Sequence, residues 1–156
     1  MNKYFKLISA VIICEGIGIM GSIFTIPSIN SWYVTLNKPF FNPPNFIFGP
    51  VWTTLYFLMG VSIFLILEKK IKNKEKNNLI YLFSLQLFLN FLWTIIFFGM
   101  HLALVAFMDI VFLWVVILIL IIKSYKFSKS AAFLLVPYIL WVSFASLLNL
   151  FVALLN

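Results

Sequence analysis

Residues 32–52 read WYVTLNKPFFNPPNFIFGPVW and hold four of the six prolines of the chain, at positions 39, 43, 44 and 50. Proline fixes φ and lacks a backbone donor, so the run Asn42-Pro43-Pro44 cannot lie in the middle of a helix or strand. Aromatic side chains are most stabilising when they are buried or placed at a membrane interface. The stretch contains seven of them: Trp32, Tyr33, Phe40, Phe41, Phe46, Phe48 and Trp52. It therefore predicts a stiff, non-helical cover over the apolar segments that flank it.

The composition places the chain in a membrane. Of its 156 residues, 64% are hydrophobic and 10% are charged, whereas soluble domains are typically about 25% charged. The net charge of +7 comes from eleven lysines that lie between apolar segments. Membrane topology explains this pattern better than binding to nucleic acid, so no nucleic-acid partner is predicted. Cys14 is the only cysteine, which excludes an internal disulfide and a cysteine metal cluster.

Five segments are apolar over the length that a helix needs to cross a bilayer, about 20 residues. They are Leu7–Ile26, Ile47–Leu67, Leu79–Gly99, Leu102–Ile122 and Ala131–Leu155. The only long connection is the proline and aromatic stretch between the first two segments. The predicted fold is an all-α membrane protein, a single domain over residues 1–156, with five transmembrane helices and one long loop between helices 1 and 2.

The distribution of lysines predicts the orientation. With five spans, all the lysines except Lys38 fall on one side of the membrane, before helix 1 and in the connections 2–3 and 4–5. Lysine-rich connections stay in the cytoplasm. The N-terminus is therefore expected in the cytoplasm, and the C-terminus and the loop between helices 1 and 2 are expected outside.

Three of the predicted helices place tryptophan beside small or polar residues on one face, by the helical spacing of i, i+3, i+4 and i+7. The faces are Gly49, Trp52, Tyr56 and Met59 in helix 2; Gln86, Asn90, Trp93 and Phe97 in helix 3; and Tyr138, Trp141, Ala145, Leu148 and Asn149 in helix 5. One interpretation is ordinary bundle packing with aromatic filler. The other is a binding cavity, because Trp93 and Trp141 lie within their spans and not at the interfacial ends.

Helix 1 contains the letters Gly16-x-Gly18-x-x-Gly21 of a dinucleotide-binding motif. The match is spurious because the motif lies inside a span and follows no strand. The physical interpretation is a face of small residues, Gly18, Gly21, Ser22 and Thr25, that allows close helix packing. In helix 5, Pro137 predicts a kink and a freed carbonyl about one turn earlier.

Three ionisable residues need separate treatment. Glu15 and Asp109 are the only acids inside the spans, where a charge is costly and therefore suggests a function. The alternative for each is a protonated acid bonded to a neighbouring helix. His101, the only histidine, could bind haem iron, but its place at a helix end favours an interfacial role. No metal site is predicted.

Four motifs taken together resemble the TspO/MBR family, the tryptophan-rich sensory proteins related to the mitochondrial translocator protein. They are WYVTLNKPFFNPP, FGPVWTTLYFLMG, QLFLNFLWTIIFFG and PYILWVSFASLLN, and the resemblance runs from about Gly18 to the C-terminus. The resemblance implies a five-helix bundle, a homodimer, and binding of porphyrins or haem, with sterol or benzodiazepine-site ligands in several members. Helix 5 ends in FVALLN and lacks the tyrosine and basic residue of the animal cholesterol motif.

The resemblance also implies a ligand site. Its pocket motifs correspond to Trp52, Asn90, Trp93, Trp141 and Ala145, and the capping segment to Trp32, Tyr33, Pro43 and Pro44. Tyr56 and Leu148 lie on the same helix faces and complete the expected ligand contacts. If the family's light-dependent degradation of protoporphyrin operates here, Trp52 and Trp141 are the expected catalytic residues.

The expected function is that of a tetrapyrrole-binding sensor or regulator of porphyrin and stress responses in the bacterial cell membrane. The alternative is a light-dependent enzyme that degrades protoporphyrin. A porphyrin or sterol transporter is disfavoured because the sequence has no inverted repeat. The expected partners are a porphyrin or haem ligand, membrane lipid and a second copy of the chain, and no other cofactor is required.

A reporter fusion tests the orientation. An enzyme that is active only outside the cytoplasm, fused after Asn156, should be active. The same reporter inserted after Lys74, in the lysine-rich connection between helices 2 and 3, should be silent. A silent fusion at Asn156 together with an active insertion at Lys74 would contradict the topology.

Overall fold

The computed structural model describes residues 2–156, and within that range the chain forms helices and no strands. The six α-helices are α1 (Lys3–Ile29), α2 (Phe48–Leu67), α3 (Asn73–Thr94), α4 (Ala103–Tyr125), α5 (Lys129–Leu134) and α6 (Val136–Leu155). With their adjoining short turns they make five helical segments that are long and apolar enough to cross a membrane. The predicted all-α fold with five membrane spans is confirmed.

The first and third spans begin before the apolar segments that predicted them. The helix α1 starts at Lys3 instead of Leu7 because the Asn2 side chain accepts a hydrogen bond from the backbone N–H of Tyr4, at 3.0 Å. The helix α3 starts at Asn73 instead of Leu79. Its first turns, NKEKNN, are hydrophilic, and a search for apolar residues cannot detect such a helix end.

The third span ends in a π-helix, Ile95–Gly99, directly after α3. The N–H of Met100 donates to the carbonyl of Ile95 at 2.8 Å, which is the wider i→i+5 bond of a π-turn. His101 follows with a φ of 60°, the one non-glycine residue at positive φ in residues 2–156. The π-helix was not predicted, but Phe97 within it is buried, on the same face as Gln86, Asn90 and Trp93 as the helical spacing predicts.

The fifth span consists of two helices, α5 and α6, that are broken at Leu135. This confirms the kink predicted from Pro137. At the break, the N–H of Leu135 donates to Ala132 and Phe133 instead of Ala131. The freed carbonyl of Ala131 accepts a hydrogen bond from the Ser62 hydroxyl of α2 at 2.8 Å, so the break is satisfied by a neighbouring helix.

The helix α1 packs on one side of the bundle, mainly against α2, while α4 packs between α3 and α6. Gly60 of α2 makes the α1 contact possible, because a Cβ there would lie 2.6 Å from the Cα of Val11. The remaining surface of α1 is exposed and apolar, with Ile12, Ile19 and Ile23 all more than 60% exposed. Such a surface suits lipid.

An ion pair joins neighbouring segments at one end of the bundle, and hydrogen bonds join them at the other end. At the end bearing the N-terminus, Lys6 of α1 pairs with Glu68 after α2 at 2.8 Å, and this ammonium group lowers the pKa of the Glu68 carboxyl. At the other end, the loop after α1 meets the last residue of α6. The N–H of Asn37 donates to Oδ1 of Asn156, and Nδ2 of Asn156 donates back to the Asn37 carbonyl, both at 2.9 Å.

Replacing Gly60 with alanine should destabilise the bundle. The added methyl group meets the backbone of Val11, which cannot move without shifting α1, and overpacking of this kind costs about 1–3 kcal/mol. Thermal unfolding in detergent should show a lower midpoint for Gly60→Ala. The matched control is Gly16→Ala in α1, where a Cβ meets nothing within 4 Å and alanine favours the helix. Equal midpoints for the two variants would rule out the close contact.

Candidate functional site

A cavity of about 440 Å³ lies between α1, α2, the third span and α6, under the loop that follows α1. Most of its lining is apolar, and aromatic side chains come from the loop and from three of the spans. Of the predicted ligand contacts, eight line it: Tyr33, Trp52, Tyr56, Asn90, Trp93, Trp141, Ala145 and Leu148. The faces inferred from helical spacing therefore converge on one space.

The loop covers the cavity with Tyr33, which lies in a short 3₁₀ helix, Tyr33–Thr35. Its side chain is 4% exposed, and its hydroxyl donates to Oδ1 of Asn42 at 2.7 Å. Burial raises the pKa of the Tyr33 phenol to about 12, so it remains a neutral donor at physiological pH. The Lys38 ammonium donates to the Tyr33 carbonyl at 2.7 Å and lies 4.9 Å from the centroid of the Tyr33 ring. The loop is thus held around Tyr33 by Asn42 at the hydroxyl and by Lys38 at the backbone carbonyl.

Three predicted capping residues, Trp32, Pro43 and Pro44, are not among the residues that line the cavity. The Trp32 ring stacks on His101, with centroids 4.2 Å apart, and it meets Phe97 edge-on. The two prolines set the path of the chain into a second 3₁₀ helix, Asn45–Ile47, where the Ile47 N–H donates to the Pro44 carbonyl at 3.1 Å. These residues anchor the loop, and they do so without forming the cavity wall.

A buried chain of hydrogen bonds runs from the cavity wall into the bundle and joins three helices. The Tyr56 hydroxyl donates to Oδ1 of Asn90 at 2.9 Å, and Nδ2 of Asn90 donates to the Tyr138 hydroxyl at 2.8 Å. The Tyr138 hydroxyl in turn donates to Oε1 of Gln86 at 2.8 Å. Gln86 and Asn90 are buried, as their positions within a span predict. Each of these side chains gives the next one a hydrogen-bond partner, so the bonds fix α2, α3 and α6 relative to one another.

A second pair of bonds fixes the tryptophan of α3. The indole N–H of Trp93 donates to Oδ1 of Asn149 on α6 at 2.8 Å, and Nδ2 of Asn149 donates to the Ala103 carbonyl at the start of α4 at 2.7 Å. The Trp93 ring also stacks on Phe97 of the π-helix, with centroids 5.2 Å apart. The orientation of this indole is therefore set before any ligand arrives.

The other two tryptophans of the wall are held mainly by aromatic contacts. Trp52 lies 5.8 Å from Tyr56 between ring centroids, and Trp141 lies 6.0 Å from Phe48. Both indoles are half-buried and line the cavity. The two candidate catalytic residues thus share one space, together with Ala145, which leaves it open.

The sequence can now be placed among known proteins. The model of the TspO/MBR family matches residues 10–155. The chain belongs to the TspO/MBR family. It is 42% identical over 151 residues to the tryptophan-rich protein TspO of Archaeoglobus fulgidus, covering 97% of each chain. It is also 42% identical over 157 residues to the TspO of Chlorobaculum tepidum, covering all of this chain and 99% of the relative. The human translocator protein is 36% identical over 119 residues, which are 76% of this chain and 70% of the relative.

The α1 side of this TspO/MBR cavity was not among the predicted ligand contacts. The helix contributes Glu15, Gly18, Gly21, Ser22 and Thr25. The small-residue pattern predicted close helix packing, and at Gly18 that is confirmed, since a Cβ would lie 2.6 Å from Tyr56 Cε2. The same residues also leave room for the cavity, and the pattern alone could not distinguish a close contact from a hollow wall.

The three ionisable residues singled out in the sequence lie in different surroundings. Glu15 lines the cavity, while Asp109 and His101 do not. One carboxylate oxygen of Asp109 is buried and has no hydrogen-bond partner in residues 2–156. Nε2 of His101 lies 3.2 Å from the Ser28 hydroxyl, outside the cavity. Residues 2–156 contain no group of three His, Cys, Asp or Glu side chains that could hold a metal ion.

Replacing Tyr138 with phenylalanine should destabilise the fold without opening a cavity. The substitution removes only the hydroxyl, which leaves Nδ2 of Asn90 and Oε1 of Gln86 unpaired in the protein interior. Such a loss costs about 1–3 kcal/mol, measured by thermal unfolding in detergent. Tyr81→Phe is the control, because its side chain is 67% exposed and its stability should match that of the wild type. An unchanged midpoint for Tyr138→Phe would show that the hydrogen bonds of the Tyr138 hydroxyl contribute nothing to stability.

Proposed function

We propose that this TspO/MBR protein binds a tetrapyrrole of the protoporphyrin or haem type in the cavity and acts as a membrane sensor or regulator of porphyrin and stress responses. The observation that carries the proposal is the wall itself. Three indoles, those of Trp52, Trp93 and Trp141, border one apolar space within the spans, and Ala145 leaves that space open. A tetrapyrrole is a flat, apolar, π-rich disc that stacks on such rings.

The cavity supports the proposal by its size and by its rigidity. Its volume of about 440 Å³ falls within the roughly 300–1,000 Å³ typical of small-molecule sites. The hydrogen bonds of Asn90 and Asn149 hold the wall in place, so a ligand orders few side chains when it binds. Preorganisation of this kind favours affinity because less conformational freedom is lost on binding.

Stacking, and not iron coordination, supports this site. Within residues 2–156, the residues that line the cavity include no histidine, cysteine or methionine. The hydroxyls of Tyr33 and Tyr56 are engaged in hydrogen bonds to Asn42 and Asn90. Binding should therefore extend to metal-free protoporphyrin, which offers the same aromatic surface as haem.

The proposal includes the orientation in the membrane and the assembly. The bonds between Asn37 and Asn156 join the loop to the C-terminus, so both lie at one end of the bundle. With the lysines at the opposite end kept in the cytoplasm, the loop and the C-terminus are outside. A homodimer, which the family resemblance implies, remains a prediction.

A second candidate function is light-dependent degradation of protoporphyrin. It is favoured by the position of Trp52 and Trp141, which both line the cavity and would contact an excited porphyrin. Trp52 is also close to two phenols, with ring centroids 5.8 Å from Tyr56 and 6.4 Å from Tyr138. If the Trp52 indole gives an electron to the excited porphyrin, the neighbouring phenols of Tyr56 and Tyr138 are oxidisable rings that could in turn give an electron to the indole. A transporter has no comparable observation in its favour.

Filling the cavity should weaken tetrapyrrole binding. Ala145→Phe adds a ring at the centre of the wall and should weaken protoporphyrin binding by about tenfold or more, since misfit in a packed site costs about 1–3 kcal/mol. Titration followed by quenching of tryptophan fluorescence measures the dissociation constant. Leu140→Phe is the control, because residue 140 lies on the same helix but is 64% exposed and outside the cavity. Thermal unfolding of both variants shows that each is folded.

The outcomes separate the candidates. Equal binding by Ala145→Phe and Leu140→Phe would overturn the assignment of the site. Saturable quenching without loss of the porphyrin spectrum under illumination supports the sensor. Bleaching that depends on the protein, and that Trp52→Phe or Trp141→Phe removes, supports the enzyme.

A further inference from the structure

Among residues 2–156, the hydrogen bonds of the cavity lining leave one carboxyl group without a partner. Nine polar side chains of the lining have a partner in the protein: Ser22, Thr25, Tyr33, Thr53, Tyr56, Asn90, Trp93, Thr94 and Asn149. Glu15 has neither a hydrogen bond nor an ion pair within residues 2–156. In the part of the chain that the structure describes, it is also the only Asp, Glu, Lys, Arg or His that lines the cavity.

The position of Glu15 along α1 explains why the protein itself supplies no counter-charge. The helix runs from Lys3 to Ile29, so Glu15 lies near its middle. Lys6 is nine residues away, about 13 Å along the axis at 1.5 Å per residue, and it pairs with Glu68. A carboxyl group at this depth is costly unless a donor or a cation stabilises it.

We infer that Glu15 sets the charge preference of the site: the cavity favours flat aromatic ligands that present a cation or a hydrogen-bond donor toward α1 and disfavours ligands that present a carboxylate there. This inference rests on the proposed function, because it assigns the ligand class of the same cavity. The neighbouring Gly18 and Gly21 have no side chain, and the Ser22 hydroxyl donates to the Ile19 carbonyl, so none of the three gives the carboxyl group a side-chain partner. The unpaired side chains of Asn45, Trp52 and Trp141 carry no charge, so they can orient a ligand without selecting its charge.

The test compares three tetrapyrroles that share one ring system. They are protoporphyrin IX with its two carboxylates, its neutral dimethyl ester, and an amide derivative that carries two amines. Dissociation constants come from tryptophan quenching in neutral detergent. For the wild type, affinity should rise from the acid to the ester to the amine, by about tenfold or more across the series, because a hydrogen bond to a charged group is a strong one.

Variants of Glu15 assign that preference to one carboxyl group. Glu15→Gln keeps the size of the side chain and removes its charge, so it should bind protoporphyrin IX more tightly than the wild type, and the three affinities should converge. Glu15→Met, with an apolar side chain of similar length, should do the same. Glu75→Gln is the control for net charge, since residue 75 lies in the first turn of α3 and not at the cavity. This variant should show the same order of affinities for the three ligands as the wild type.

The results distinguish this inference from the proposal on which it rests. If all three ligands bind and the series is the same in wild type and Glu15→Gln, the charge preference is wrong and the tetrapyrrole site stands. If the three affinities also converge in the Glu75→Gln control, the effect comes from surface charge and the inference is overturned. If no ligand binds the wild type saturably, the proposed function fails and the inference fails with it.

Discussion

The site depends on the buried hydrogen-bond chain from Tyr56 through Asn90 and Tyr138 to Gln86. Inside a bilayer the hydrophobic effect does not drive helices together, because lipid is as apolar as the side chains. Polar groups then determine which faces meet. These hydrogen bonds join α2, α3 and α6 beside the cavity, and every hydroxyl and amide among them has a partner. A cavity removes packing contacts from its wall, and these hydrogen bonds compensate for part of that loss.

The loop acts on the same space from the end of the bundle where α6 ends. Two of its aromatic residues make different contacts, since Tyr33 lines the cavity while Trp32 stacks on His101. The position of His101 follows from the π-helix, which ends the third span and places this residue at a φ of 60°. The cover is therefore fixed to the α3–α4 turn by stacking and to the end of α6 by Asn37 and Asn156. Prolines in the loop maintain its path between these attachments.

The sequence predicts much of the fold and one side of the site. Hydropathy finds the five spans, and helical spacing finds the faces of Trp52, Asn90 and Ala145, because both signals are local and periodic. The role of Trp32 could not be predicted, since it depends on a π-turn more than sixty residues away in the chain. The contribution of α1 to the cavity was missed for another reason. A row of small residues fits both a close contact and an open wall, and only the distance to α2 distinguishes them.

The small residues of α1 allow this helix both to pack closely against α2 and to line the cavity. At Gly18 the absence of a Cβ lets α1 approach Tyr56, which positions the first member of the buried chain. One turn to either side, the same face is open and lines the cavity with Glu15 on one side and Ser22 on the other. The hydroxyl of Ser22 is turned back to the Ile19 carbonyl at 2.6 Å, whereas Glu15 has no such local partner. Within residues 2–156, the helix that shapes the wall thus also carries the one Asp, Glu, Lys, Arg or His side chain that lines the cavity. Gly18 contributes to the shape of the site and Glu15 contributes a carboxyl group, so the two contributions come from different residues.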